Sequence, residues 1–319
     1  MKKNITKGFT LIELAVALTI VALVVGGLAV PISKRIAEQQ YTDTQANIDK
    51  AIEALVGYAI QNRRLPCPDV STATADNRNG LEKTVGGIGA VTGCSIGIAG
   101  TGATAGDYHS DADGASWGDL PWQTIGLSPP YNVDAWNNRL RYAVFTPLVT
   151  QSGTAAVCSG NAGFANLSCL TFLDGAAAPS GKLDIRCVNP ANPLVPTTIP
   201  LGCTQNTVPN YSVSTNAVFV VYSMGANGWG ATSMVDLGTT SKLAFNATRF
   251  AKYPDEGANA PEYIPLSGLN TAATAALRRQ FVVRSRTDEI STSGGFDDLL
   301  SFMSAPTLAA KLSSAGVWP

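Results

Sequence analysis

From Leu14 to Ser33 the chain runs for 20 residues without a charged side chain. At about 1.5 Å of rise per residue, a helix of that length spans the roughly 30 Å hydrocarbon core of a bilayer. Lys2, Lys3 and Lys7 precede the run, and Lys34 and Arg35 follow it. Beyond Pro31 the pattern changes. Ile48, Ile52, Leu55, Val56 and Ala59 recur at three- and four-residue steps and so share one helical face. Asp43, Asp49, Lys50 and Glu53 lie off that stripe. The pattern predicts a transmembrane helix over 9–33 and an amphipathic helix over 34–65, whose apolar face packs on a globular body. Arg63 and Arg64 suit the negative end of that helix, and Leu65-Pro66 stops it.

Residues 66–319 read differently. Asn137-Asn138 is a turn, because Asn tolerates a left-handed backbone. After it, Leu140, Tyr142 and Val144 alternate with Arg141, Ala143 and Phe145 as in a strand. Further strand candidates are Lys182–Val188, Ala217–Ser223, Leu243–Phe245 and Phe281–Arg284. A long helix followed by strands is an α+β arrangement. The chain has no internal repeat.

Composition narrows the class. Charged residues make up 14% of the 319, against about 25% in soluble domains, and there are 31 Gly and 18 Pro. That balance suggests a loop-rich, extracytoplasmic β-type body. Its net charge of -1 makes clustered phosphate contacts, and so nucleic-acid binding, unexpected. The six cysteines are Cys67, Cys94, Cys158, Cys169, Cys187 and Cys203, with no C-x-x-C pair and one histidine in the chain. In an exported domain this reads as three disulfides rather than a zinc site. Six cysteines allow 15 pairings; the sequential one, which closes short loops, is expected.

An ordinary secretory signal peptide has a shorter apolar region followed by a small-x-small cleavage site. Here the polar-to-apolar boundary comes before the run, at Gly8-Phe9, and the run continues into the amphipathic helix. Glu13 stands at the start of the apolar segment. An acid in a membrane span costs several kcal/mol and marks a functional position by default. If the chain is cut after Gly8, the new amine of Phe9 can pair with Glu13 of a neighbouring subunit and fix axial register. A Glu13 that merely snorkels to the interface is the alternative.

Gly8-Phe9-Thr10-Leu11-Ile12-Glu13 resembles the cleavage and methylation motif of type IV prepilins and type II secretion pseudopilins. The resemblance implies a leader at 1–8, cleavage after Gly8 by a prepilin peptidase, N-methylation of Phe9, and assembly through the helix with Glu13 setting register. Cutting off the leader, with its three lysines, takes the net charge from -1 to -4. Two positions depart from the family's usual pattern: Ala22 stands for a glycine, and Val30, with Pro31 next, for a proline. Gly26, Gly27 and Pro31 are together expected to weaken the helix midway.

The resemblance extends into the body. Leu65-Pro66-Cys67-Pro68, Leu120-Pro121-Trp122 and Asp134-Ala135-Trp136-Asn137-Asn138 are similar to segments of prepilin-like proteins, with Asn137 for the usual glycine. Tyr222-Ser223-Met224-Gly225-Ala226-Asn227-Gly228 resembles a turn of pseudopilins, with Asn227 for aspartate. Asp297-Asp298-Leu299-Leu300 resembles the segment that ends many of their sheets. This implies a pilin-like fold: a long N-terminal helix on a C-terminal antiparallel sheet. Residues 150–210, holding Cys158/Cys169 and Cys187/Cys203, read as an insertion. Cys67–Cys94 would tie the helix end to the loop.

Two acidic groups are candidate calcium sites. Asp107, Asp111, Asp113 and Asp119 surround Gly114, but His109 and Leu120 stand where an EF-hand loop needs Asp and Glu. The second group is Asp288, Glu289, Asp297 and Asp298, near the loop where type II pseudopilins hold calcium. A Ser-His-Asp triad would have to use His109, which lies in a Gly/Asp-rich stretch and reads rather as a surface histidine. Trp117, Trp122 and Trp136 read as core aromatics rather than a sugar platform. No phosphate-binding glycine loop occurs.

The expectation is therefore a non-enzymatic minor pilin or pseudopilin with no resident cofactor and no assigned metal site; both acidic groups read as solvated acidic turns, with calcium as the alternative. Its partners would be other pilin subunits, a prepilin peptidase/methyltransferase and the inner membrane. It would be single-pass with a periplasmic body before assembly, and part of a filament afterwards. A tip adhesin using the 150–210 insertion and a membrane-tethered periplasmic enzyme are the alternatives.

Overall fold

The computed structural model describes residues 10–70, 79–85, 93–94, 108–110, 115–149, 183–188, 204–207, 210–231, 248, 252–253, 255–260, 279–287 and 294–317. For 25–32, 85, 93, 108–110, 204–207 and 210–211 it gives the backbone alone. Outside this set lie Gly8, Phe9, Asp107, Asp111, Asp113, Asp288, Glu289, Cys158, Cys169, Cys203, most of the 150–210 insertion and the Leu243–Phe245 candidate.

Helix α1 runs from Leu11 to Asn62. Its backbone is helical through Gly26, Gly27 and Pro31, where a weakening was expected. A proline removes one hydrogen bond, but its fixed φ is compatible with the helix. The chain divides into two compact units, Met1–Asp43 and Thr44–Pro319. Among the described residues, no helix is long and apolar enough to cross a membrane.

In the second unit, Ile48, Ala51, Leu55, Val56 and Ala59 are buried, while Asp49, Lys50 and Glu53 are exposed. The apolar stripe read from the sequence is therefore the packed face. The helix stops at Asn62, just short of the two basic residues expected in its last turn. Arg63 takes φ 53, a left-handed termination, so Arg63 and Arg64 lie beyond the last turn.

The sheet contains β3 (Tyr108–Ser110), β4 (Ala115–Asp119), β5 (Arg141–Phe145), β6 (Leu183–Arg186), β7 (Thr204–Thr207), β8 (Asn210–Ser223), β9 (Gln280–Val282) and β10 (Leu299–Ser304). A small pair, β1 (Thr84–Val85) and β2 (Gly93–Cys94), stands apart. The main path is β3-β4-β5-β8-β6-β9, with β10 and β7 also on β8. The expected purely antiparallel sheet is corrected here: β6 and β9 pair in parallel, Ile185 opposite Phe281. The chain returns to β9 from a distant segment, and the local pattern carries no record of direction. β8 runs for 14 residues and pairs with β5, β6, β7 and β10, starting well before the Ala217–Ser223 segment expected. After β10 the chain does not end its fold. Helix α2 (Ala305–Ser314) follows, capped by Ser304 and burying Ala305, Leu308 and Leu312.

Both faces of the sheet are covered. Leu140, Tyr142, Val144, Val218, Phe219 and Val221 join the α1 stripe and α2 in one core. Trp117, Ala143, Ile185, Val220, Tyr222 and Phe281 form a second core on the other side, with Tyr253 and Met224 packed in. β5 is the strand expected after the Asn137-Asn138 turn, and its five residues are all buried. Trp117 is a core residue.

Candidate functional site

Among the described residues, three groups of polar side chains stand out. The first is at the start of α1. Thr10 N–H and Thr10 Oγ1 each donate to Glu13 Oε2 at 2.9 Å, and Glu13 N–H donates back to Thr10 Oγ1 at 3.3 Å. This is a capping box: each residue satisfies a backbone group the helix end leaves unpaired. The T-x-x-E spacing of Thr10 and Glu13 is the sequence signal for it. Beyond it, Leu11, Ile12, Leu14, Val16, Leu18, Ile20, Val21, Leu23 and Val24 are all exposed. A continuous apolar surface of that extent marks a membrane or protein contact.

The second group fastens the end of α1. A disulfide joins Cys67 to Cys94, 27 residues apart. Beside it, Glu82 accepts from Arg64 through both Nη1 and Nη2, from Tyr58 Oη at 3.0 Å and from Cys67 N–H at 3.0 Å. The Arg64 guanidinium also stacks over the Tyr58 ring. Burial and the neighbouring Glu82 carboxylate push the Tyr58 hydroxyl well above its ordinary pKa. Cys187 is also disulfide-bonded. Asp119, grouped in the sequence with Asp107, Asp111 and Asp113, which lie outside the described residues, is the last residue of β4. It is buried between Arg141 at 2.8 Å and Arg139 at 3.3 Å, and its backbone pairs with that of Asp69. An ion pair of this kind neutralises the carboxylate, so Asp119 is structural.

The third group gathers motifs far apart in sequence. Asp134 Oδ1 accepts from Trp136 N–H at 2.9 Å and Asn138 N–H at 2.8 Å, which closes the turn through Asn137 at φ 66. Asp134 Oδ2 accepts from Ser223 Oγ at 2.7 Å, and Ser223 Oγ in turn accepts from Gly225 N–H. Burial pushes the Asp134 carboxyl up, and these donors oppose that. Two residues on, Asn227 N–H donates to Asp297 Oδ2 at 2.9 Å. One carboxylate oxygen from each of Glu256, Asp297 and Asp298 lies within 4.8 Å of the others.

Glu256 comes from a short 3-10 turn, Glu256–Asn259, and is fully buried; Asp297 and Asp298 lead into β10. Asp298 Oδ2 accepts from Asn259 Nδ2 at 2.8 Å, while its buried Oδ1 has no hydrogen-bond partner among the described residues. Burial pushes all three carboxyls up, and repulsion from the neighbouring carboxylates adds to it for Glu256 and Asp298. The sequence pointed to Asp297 and Asp298 but grouped them with Asp288 and Glu289. It gave no signal for Glu256, which lies about 40 residues upstream on another turn.

Comparison with curated proteins and with solved structures gives no match. Residues 3–29 match the family described as the prokaryotic N-terminal methylation motif. The match covers the Gly8-Phe9 junction, the Thr10–Glu13 box and most of the apolar run. The chain therefore carries, at its N-terminus, the signal of type IV prepilins and pseudopilins, that of a pilin-like precursor.

Proposed function

We propose that this protein is a non-catalytic subunit, a minor pilin or pseudopilin, of a type IV pilus or type II secretion filament. The methylation motif over residues 3–29 carries the reading. Its support in the structure is that the motif opens a capped helix with an uncovered apolar surface. A prepilin peptidase cuts after Gly8 and the Phe9 amine is methylated. Residues 9–33 hold the subunit in the inner membrane, with the body in the periplasm, until partner subunits and an assembly ATPase draw it into the filament. Glu13 exchanges its Thr10 partners for the Phe9 amine of a neighbour, in an apolar setting where that attraction is strong. The α1 stripe packed on the sheet is the arrangement a pilin-like body needs.

The test is mass. Wild type shows loss of residues 1–8, and a Gly8→Val variant keeps them; equal masses for the two refute processing. Glu13→Val inserts in the membrane but fails to enter filaments, and normal incorporation refutes the pairing role.

A second reading rests on the carboxylate cluster: Glu256, Asp297 and Asp298 hold a calcium ion. Oxygen ligands on converging turns suit that cation. The residues fit. Asp298 Oδ1 is buried without a hydrogen-bond partner among the described residues, and Gly225, at φ +63, leaves room that a Cβ would fill against the Asp297 carboxylate. The ion would neutralise the cluster and fasten β10 to the 3-10 turn. Melting the chelated chain with and without calcium tests this: an upward shift is expected, and no shift at millimolar calcium refutes it.

A further inference from the structure

The cluster has a member suited to the absence of a cation. Asn227 Nδ2 donates to both oxygens of Glu256, at 3.1 and 2.9 Å. A nitrogen donor shared between both oxygens of a carboxylate takes the position a bidentately bound cation would take. The other end of the amide is tied down, since Asn227 Oδ1 accepts from Trp229 N–H at 2.8 Å. That bond assigns the orientation, with nitrogen facing the acids and oxygen facing the turn. The Asn227 backbone N–H donates to Asp297 Oδ2. One residue thus supplies donors to two of the three carboxylates.

We propose that Asn227 sets the cation affinity of this site, its carboxamide nitrogen holding the Glu256 oxygens until a divalent cation displaces it. The inference rests on the calcium reading above. Its consequences have opposite signs. Without the ion, Nδ2 offsets repulsion among the acids, so losing it destabilises the chain. With the ion, an oxygen in place of Nδ2 adds a ligand and a charge, so affinity rises. An aspartate at 227 keeps the acceptor for Trp229 N–H and turns its second oxygen to the cluster. A residue that merely supported the turn would lower stability and affinity together.

The full chain in detergent, stripped with chelator and then freed of it, is titrated with calcium by calorimetry and melted with and without the ion. Asn227→Asp is expected to bind calcium about tenfold or more tightly than wild type, on ligand-charge grounds. Its ion-free melting temperature is expected to fall below wild type. Asn227→Ala, which removes the donor and adds no ligand, keeps or raises affinity and also melts lower without the ion. Asp297→Asn loses binding, which locates the site. Calcium binding by Asn227→Asp alone supports the inference as well. If wild type binds and Asn227→Asp binds no more tightly, or cannot fold even with calcium, the role of Asn227 is overturned and the calcium reading stands. If neither protein binds at millimolar calcium, the calcium reading is overturned and this inference with it.

Discussion

Replacing Glu82 with alanine tests how the body grips the end of α1. The wild-type carboxylate accepts from Arg64, Tyr58 and the Cys67 backbone, and the Arg64 side chain is only 7% exposed. Alanine leaves a buried guanidinium without its counter-charge, a hydroxyl without an acceptor and a backbone N–H unpaired. Breaking one partner of a buried pair costs about 3–5 kcal/mol, and each newly unsatisfied group costs about 1–3 kcal/mol. The terms overlap, and Glu82 is itself 17% exposed, so water can reach the gap. A loss of about 3 kcal/mol follows. Urea unfolding of the detergent-solubilised chain, with the disulfide intact, measures it. The double variant Arg64→Met, Glu82→Leu removes both charges and should recover most of the loss. A loss below about 1 kcal/mol in the single variant, or a double variant less stable than the single, refutes the claim that this pair holds the helix end.

Leu55→Ala empties a fully buried position between α1 and the sheet. It should cost about 2–5 kcal/mol in the same unfolding assay. Gly225→Ala forces a side chain into a left-handed backbone and against Asp297. Strain of that kind costs about 1–3 kcal/mol, so a melting temperature equal to wild type would contradict the packing. Asp134 has its carboxyl raised by burial. The folded chain therefore holds the Asp134 proton to higher pH than the unfolded chain does. The stability this contributes is full below the unfolded value of about 3.9 and is lost as pH rises through the folded value. Asp134→Asn removes that slope, which melting temperatures measured from pH 3.5 upward detect against wild type.

The sequence by itself determined the parts of this protein that are local. The Gly8-Phe9 junction, the uncharged run, Glu13 and the periodic stripe at Ile48, Leu55 and Ala59 each depend on residues within a few turns of one another. Helical period and a short N-terminal motif are written at that range. The Asn137 turn was legible for the same reason, because a left-handed residue needs only its own side chain to favour it. The tertiary structure decided what depends on distant segments meeting. A strand does not encode the direction of its neighbour, so the parallel β6–β9 pair could not be read. Nor does a strand encode what covers its second face, so the burial of all of β5 could not be read either. The partners of acids were likewise decided in three dimensions. Asp119 pairs with two arginines, Glu82 became the anchor of Arg64, and Glu256 joined Asp297 and Asp298 from a separate turn. A carboxylate's partner is set by which segments burial brings together, and neither spacing nor composition records that. The N-terminal signal was therefore legible before any fold was known, while the carboxylate cluster became visible only when β8, the 3-10 turn and β10 met.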